Sequence, residues 1–142
     1  MESVQYPESL IYPDSKIEIY FENKQQLNRT GKSIVIEGTR FGFLSLSNLI
    51  NVYNAYLCNP IILTDFNFVY SEIVLKINKR DNVSLPEGRI LKSLDSIYIW
   101  EISELNLFVV TGLLHSLGYA NQELHLDTDL TFNEISVYCV VK

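Results

Sequence analysis

Cysteine, glycine and histidine are scarce in this chain, and each shortage removes a class of function. Two cysteines in 142 residues, Cys58 and Cys139, are too few for a disulfide scaffold. Both stand among apolar neighbours, one in a predicted helix and one in a predicted strand, so the expectation is reduced, buried thiols. Whether the two approach closely enough for a bridge depends on geometry that sequence does not contain. The six glycines are scattered and build neither GxxxxGK[ST] nor GxGxxG; TRFGF (39–43) joins a strand to a helix without completing a phosphate cradle. HExxH and CxxC are also missing. No apolar run reaches the roughly 18 residues of a bilayer span, and no basic segment precedes an apolar one at the start. The expectation is a cytoplasmic chain, neither exported nor membrane-spanning.

Positive charge is in deficit. Lysine and arginine total 11 against 17 aspartates and glutamates, a formal charge of −6. Such a chain repels nucleic-acid phosphates and anionic lipids and attracts a cationic partner. The composition, 47% hydrophobic and 20% charged, is that of an ordered globular protein. With no internal repeat and no long linker, it predicts one domain over 1–142, with 1–15 as an extended N-terminal segment tied down by Leu10, Ile11 and Tyr12.

Periodicity divides the rest. KIEIYFE (16–22) alternates, with Ile17, Ile19 and Phe21 on one side and Glu18, Tyr20 and Glu22 on the other. KSIVIEG (32–38) follows a glycine-containing turn, which predicts a hairpin. Over 43–58, Leu46, Leu49, Ile50, Tyr53 and Leu57 recur at helical steps, with Ser45 or Ser47 as N-cap. IILTDF (61–66), SEIVLKINK (71–79), RILKSL (89–94) and SIYIWEI (96–102) read as strands, the last two as separate strands or one bent one. A second helix starts at Ser103, with a stripe of Leu105, Phe108, Val109, Gly112, Leu113 and Leu117, and ends at Gly118, a residue that tolerates positive φ. QELHLD (122–127) and EISVYCVV (134–141) form a final antiparallel pair. The fold class is therefore α+β: a mostly antiparallel sheet of about six or seven strands with two main helices packed on one face.

The chain's two histidines fall in one stretch, HSLGYANQELHLDTD (115–129). His115 in the last turn of a helix serves as a cap to free carbonyls. His125 and Asp127, two apart in a strand, point to one sheet face. Together with His115 they offer the ligand types of a small metal-dependent, hydrolase-like enzyme, the alternative to a binding role, although a site drawn from one local region lacks second-shell support. A cysteine–histidine nucleophile requires Cys58 or Cys139 to leave an apolar setting that makes a thiol inert.

Comparison of strand faces is more informative. If Ile17/Ile19/Phe21, Ile34/Ile36, Ile73/Leu75/Ile77, Ile97/Ile99, Leu124/Leu126 and Ile135/Val137/Cys139 point toward the helices, the opposite face is aromatic and acidic. Glu18, Tyr20, Glu37, Trp100, Glu123, His125, Asp127 and Tyr138 are the candidate partner-binding residues on it. Tyrosine and tryptophan are effective interface anchors and carboxylates steer a cationic partner. Cross-strand pairing on an uncovered sheet, or self-association through the same face, are the competing uses.

The order of IEGTRFGFLSLSNLI, SEIVLKINK, YIWEIS and HSLGYANQELHLD over residues 32–140 resembles small immunity proteins of bacterial polymorphic-toxin and contact-dependent inhibition systems. HSLGY (115–119) and HLD (125–127) carry the similarity. The resemblance implies a non-enzymatic protein that binds and neutralises a cognate toxin domain in the cytoplasm; the missing motif spacings add the expectation of no cofactor and no metal. It transfers no catalytic residues.

Overall fold

The fold is described from a computed structural model that describes residues 8–26, 29–126 and 135–142. β1 (Ile17–Gln26) and β2 (Arg29–Gly38) form the expected antiparallel hairpin, Ile19 opposite Ile36 and Phe21 opposite Ile34. α1 (Arg40–Ala55) follows, then β3 (Ile61–Ile62), a 3-10 turn at Leu63–Asp65, β4 (Val69–Ser71) and β5 (Val74–Lys79). The chain continues through β6 (Arg89–Lys92), β7 (Ile97–Ile102), α2 (Glu104–Ser116), β8 (Glu123–Leu126) and β9 (Ile135–Val141).

The class is α+β, but the described strands number nine and form two mixed sheets, ordered β4-β1-β2-β9-β8 and β3-β5-β7-β6. Three pairings are parallel: β1 with β4, β2 with β9 and β5 with β7. Each joins segments distant along the chain, which local alternation cannot reveal. Both sheets and both helices contribute to one core that includes Ile17, Ile34, Phe43, Leu75, Trp100 and Leu114. The sheets meet where Phe21 of β1 stacks on Tyr98 of β7, ring centroids 5.3 Å apart. Among the described residues no helix is long and apolar enough to cross a membrane.

α1 starts earlier than its serines predict. Thr39 is the N-cap, its Oγ1 accepting from the Gly42 amide at 3.0 Å and from the Lys16 amide at 3.2 Å, and donating to the Asp14 carbonyl at 2.9 Å. One hydroxyl therefore caps the helix and holds the segment that leads into β1. Ser45 is buried within the helix, where its Oγ accepts from the Tyr12 amide at 2.8 Å, and Asn48 donates to the Leu10 carbonyl at 3.2 Å. These contacts fasten Leu10 and Tyr12 to α1; Glu8–Leu10 is a 3-10 turn rather than extended chain, and residues 1–7 of the expected extended segment lie outside the described residues. Thr39→Ala is expected to cost about 1–2 kcal/mol and Thr39→Ser to retain most of it, read as urea midpoints. Leu57 and Cys58 lie beyond the helix, and Leu57 is exposed rather than part of a buried stripe. Both cysteines are free thiols, Cys139 buried and Cys58 half-buried.

Two facing assignments are inverted. In β7, Tyr98, Trp100 and Ile102 are buried and Ile97 and Ile99 are the more exposed side. The register with β5 explains this: Tyr98 lies beside Leu75 and Trp100 beside Ile77, both core residues. The Trp100 Nε1 donates to the Glu87 carbonyl at 2.8 Å, an approach that depends on the neighbouring Gly88 at φ +73°. In α2, the buried side is Leu107, Val110, Thr111 and Leu114, not the stripe of Leu105, Phe108, Val109 and Leu113. That helix is apolar almost all round, so two helical stripes compete and periodicity cannot choose between them. Gly118 is needed for closeness rather than for positive φ, since a Cβ there would lie 2.2 Å from Leu44 Cδ2.

One carboxylate is buried in the core's margin. Glu101 of β7 is 4% exposed and is gripped from two sides, Arg89 Nε at 2.7 Å from Oε1 and Arg80 Nε at 3.0 Å from Oε2.

Candidate functional site

The outward face of the five-stranded sheet carries the polar residues that strand alternation placed there. Register arranges them in rows across the strands. Tyr70 of β4, Glu18 of β1, Glu37 of β2, Val140 of β9 and Glu123 of β8 form one row. The next consists of Tyr20, Val35, Tyr138 and His125. In a pleated sheet such neighbours share a face and their side chains touch.

The contacts show how the face is held. The Tyr20 hydroxyl donates to Glu37 Oε2 at 3.2 Å, and the Tyr138 hydroxyl donates to Glu123 Oε2 at 2.7 Å. The His125 ring packs at a tilt of 41° against Tyr138 with centroids 4.4 Å apart, and its Nε2 is 3.8 Å from Glu123 Oε1. Lys16 approaches Glu18 at 3.4 Å and Lys142 approaches Glu37 at 3.6 Å, so two of the row's three carboxylates have a lysine beside them. Glu123 and His125 are exposed, and Val35 is buried in register between the two tyrosines.

Burial, then the Glu37 carboxylate, pushes the Tyr20 hydroxyl up to about 12. The Tyr138 hydroxyl is likewise raised, first by its hydrogen bond to Glu123 and then by burial. Both phenols therefore stay protonated and serve as donors at neutral pH. Because the folded-state value of Tyr20 lies above the ordinary value, its contribution to stability is complete below about pH 10 and is lost as pH rises through about 12. Absorbance titration of tyrosinate is expected to show the step near pH 12 losing one tyrosine in Tyr20→Phe and shifting downward in Glu37→Gln.

Six of the sequence-derived candidates, Glu18, Tyr20, Glu37, Glu123, His125 and Tyr138, share this face. Asp127 lies outside the described residues. Trp100 is a correction: it belongs to the other sheet and is 0% exposed in the core, because its strand is apolar on both sides and the pairing with β5 turns the indole inward. His115 is also elsewhere, on α2, with Nδ1 3.1 Å from Ser47 Oγ of α1 and its ring edge-on to Tyr119. It bridges the helices while His125 lies on the open sheet, so the two are not joined in one site. Among the described residues no group of three or more histidine, cysteine, aspartate or glutamate side chains is arranged to hold a metal. Cys139 points into the core, and burial pushes its thiol strongly up, so it is not a nucleophile.

The structure adds residues that sequence reasoning missed. Tyr70 and Glu72 join Glu18 and Tyr20 in lining an open depression of about 750 Å³ where β4 meets β1. β4 is three residues long and pairs in parallel, so NFVYS carries no alternation to announce it. Comparison with protein-family models, curated proteins and solved structures found no match.

Proposed function

We propose that the chain is a non-enzymatic, immunity-like binding protein that docks a cationic toxin domain on the open face of its five-stranded sheet. The observation that carries this reading is the row of Glu18, Glu37 and Glu123 bordered by Tyr20, Tyr70, Tyr138 and His125 on a sheet face that, among the described residues, no helix covers. Arginine and lysine side chains of the partner meet carboxylates there and pack their stems on the aromatic rings. Hydrogen bonds from Tyr20 and Tyr138 fix two carboxylates before binding, which reduces the ordering cost at the interface. The net charge of −6 steers encounter with a basic partner and disfavours nucleic acid and anionic membranes. Neutralisation follows by occlusion of the toxin's active site or of its substrate's approach, in the bacterial cytoplasm.

The test is co-expression with the C-terminal toxin domain encoded by the directly upstream gene. Rescue of growth together with a stable copurifying complex is expected. A toxin that remains lethal and does not bind this chain would overturn the assignment.

A further inference from the structure

β1 is longer than the strand that borders its outer side. It pairs with β2 along the whole of Ile17–Gln26, whereas β4 accompanies it only over Ile17–Ile19. The Ile17 amide donates to the Phe68 carbonyl at 3.0 Å, so odd-numbered residues of β1 direct their backbone groups to the β4 side and even-numbered ones to β2. The ladder stops at Ser71. Its hydroxyl donates to the Ile19 carbonyl at 2.8 Å and accepts from the Ile73 amide at 3.0 Å, and the chain bends away into β5. Beyond that point the N–H and C=O groups of Phe21 and Asn23 face out of the sheet, and among the described residues no strand lies beside them. The depression of about 750 Å³ opens at this break. Consecutive residues line it, 18–21 of β1 and 69–72 around the end of β4, so it follows exposed backbone and not one sheet face.

We infer that this edge takes up an extended, basic segment of the partner as an added strand, laid along the line that β4 leaves at Ser71. The edge itself specifies the form of its occupant, because donors and acceptors spaced along a strand are matched in series only by another extended backbone. β4 is the precedent within the fold, a short segment from a distant part of the chain held on the same edge. Charge then selects the sequence. The charged residues lining the depression are Glu18 and Glu72, with the rings of Tyr20 and Tyr70 beside them. A second copy of β1 would set carboxylate against carboxylate, whereas lysine or arginine finds counter-charge and aromatic surface. Side chains on the other side of the added strand meet Phe21 and Thr64. The segment is therefore one in which basic and apolar residues alternate. The inference rests on the reading of the partner as cationic and carries its contact from the sheet face onto the sheet edge.

Titration of the isotope-labelled full chain with the capped peptide KVKVKVK, followed by nuclear magnetic resonance, tests the edge without the toxin. Saturable shifts and slowed hydrogen exchange are expected at the Phe21 and Asn23 amides. N-methylated peptides separate strand pairing from charge attraction, because alternate amides of a strand point to opposite sides and methylation leaves the charge unchanged. Methyl groups on either all the valines or all the lysines are expected to weaken binding by about tenfold or more, and the other set to leave it within about threefold. In the chain, Asn23→Pro removes an edge-facing N–H that the ladder with β2 does not use, and a proline at such a position is compatible with a strand. It is expected to weaken binding by about tenfold or more with an unchanged circular dichroism spectrum, while Asn23→Ala binds as the wild type does. No saturable binding up to about 1 mM, or equal binding of the two methylated peptides, would overturn the inference. So would wild-type affinity in folded Asn23→Pro. Growth rescue on co-expression is read separately, so loss of the edge contact and loss of toxin binding give different results.

Discussion

Arg80→Ala combined with Arg89→Ala is expected to lower stability by about 3–5 kcal/mol, because it leaves a buried carboxylate without a counter-charge. Glu101 is 4% exposed, and the two guanidinium groups lie 3.0 Å and 2.7 Å from its two oxygens. A loss of this size is a large part of the roughly 5–15 kcal/mol that holds an ordinary domain together. Arg80 alone is the smaller loss, since its side chain is 52% exposed and Arg89 remains in place. The same double replacement in a Glu101→Gln background is expected to cost far less, because no buried charge is left behind. Urea midpoints of the variants close the cycle. Equal losses in the two backgrounds would mean that the arginines act through packing and not through the carboxylate.

Glu18→Lys with Glu123→Lys is expected to slow association with the toxin domain by about 10- to 100-fold at low ionic strength. The two are the outermost carboxylates of one row, on β1 and β8, and the substitutions reduce the net charge from −6 to −2. Their loss removes the field that draws in a basic surface, so the effect falls on the association rate and shrinks as salt is added. Dissociation is governed instead by the buried contacts, and Tyr20→Ala or Tyr138→Ala is where a faster release is expected. Both exchanged carboxylates are substantially exposed, at 44% and 55%, so the fold should tolerate the reversal. Stopped-flow mixing over a salt series separates the two rates. A double reversal that leaves the association rate and its salt slope unchanged would remove the carboxylates from the encounter.

The outward sheet face was legible because β1, β2, β8 and β9 alternate polar with apolar residues, and a period of two assigns Glu18, Tyr20, Glu37, Glu123, His125 and Tyr138 to one side. The hairpin was equally clear, as was the start of α2, where Ser103 caps the helix by accepting from the Asn106 amide. Where a segment is apolar on both sides, that logic fails. IYIW in β7 and LFVVTGLL in α2 satisfy two opposite orientations, and the tertiary pairing with β5 and the packing of α2 on α1 decide between them. Division into two sheets, the parallel partner β4 and the clamp on Glu101 depend on contacts between distant segments. Thr39 was missed for a local reason: the glycine in TRFGF reads as a loop, yet Gly42 lies in the first turn of α1.

The central claim is that the open sheet face meets the partner, and hydroxyl-radical footprinting of the chain, free and in complex with the co-expressed toxin domain, tests it most directly. The expected result is protection of Tyr20, Tyr70, His125 and Tyr138, with Tyr12 and Tyr56, exposed away from this face, labelled as in the free chain. Unchanged labelling of the four sheet residues in a complex that protects other exposed aromatics would contradict it.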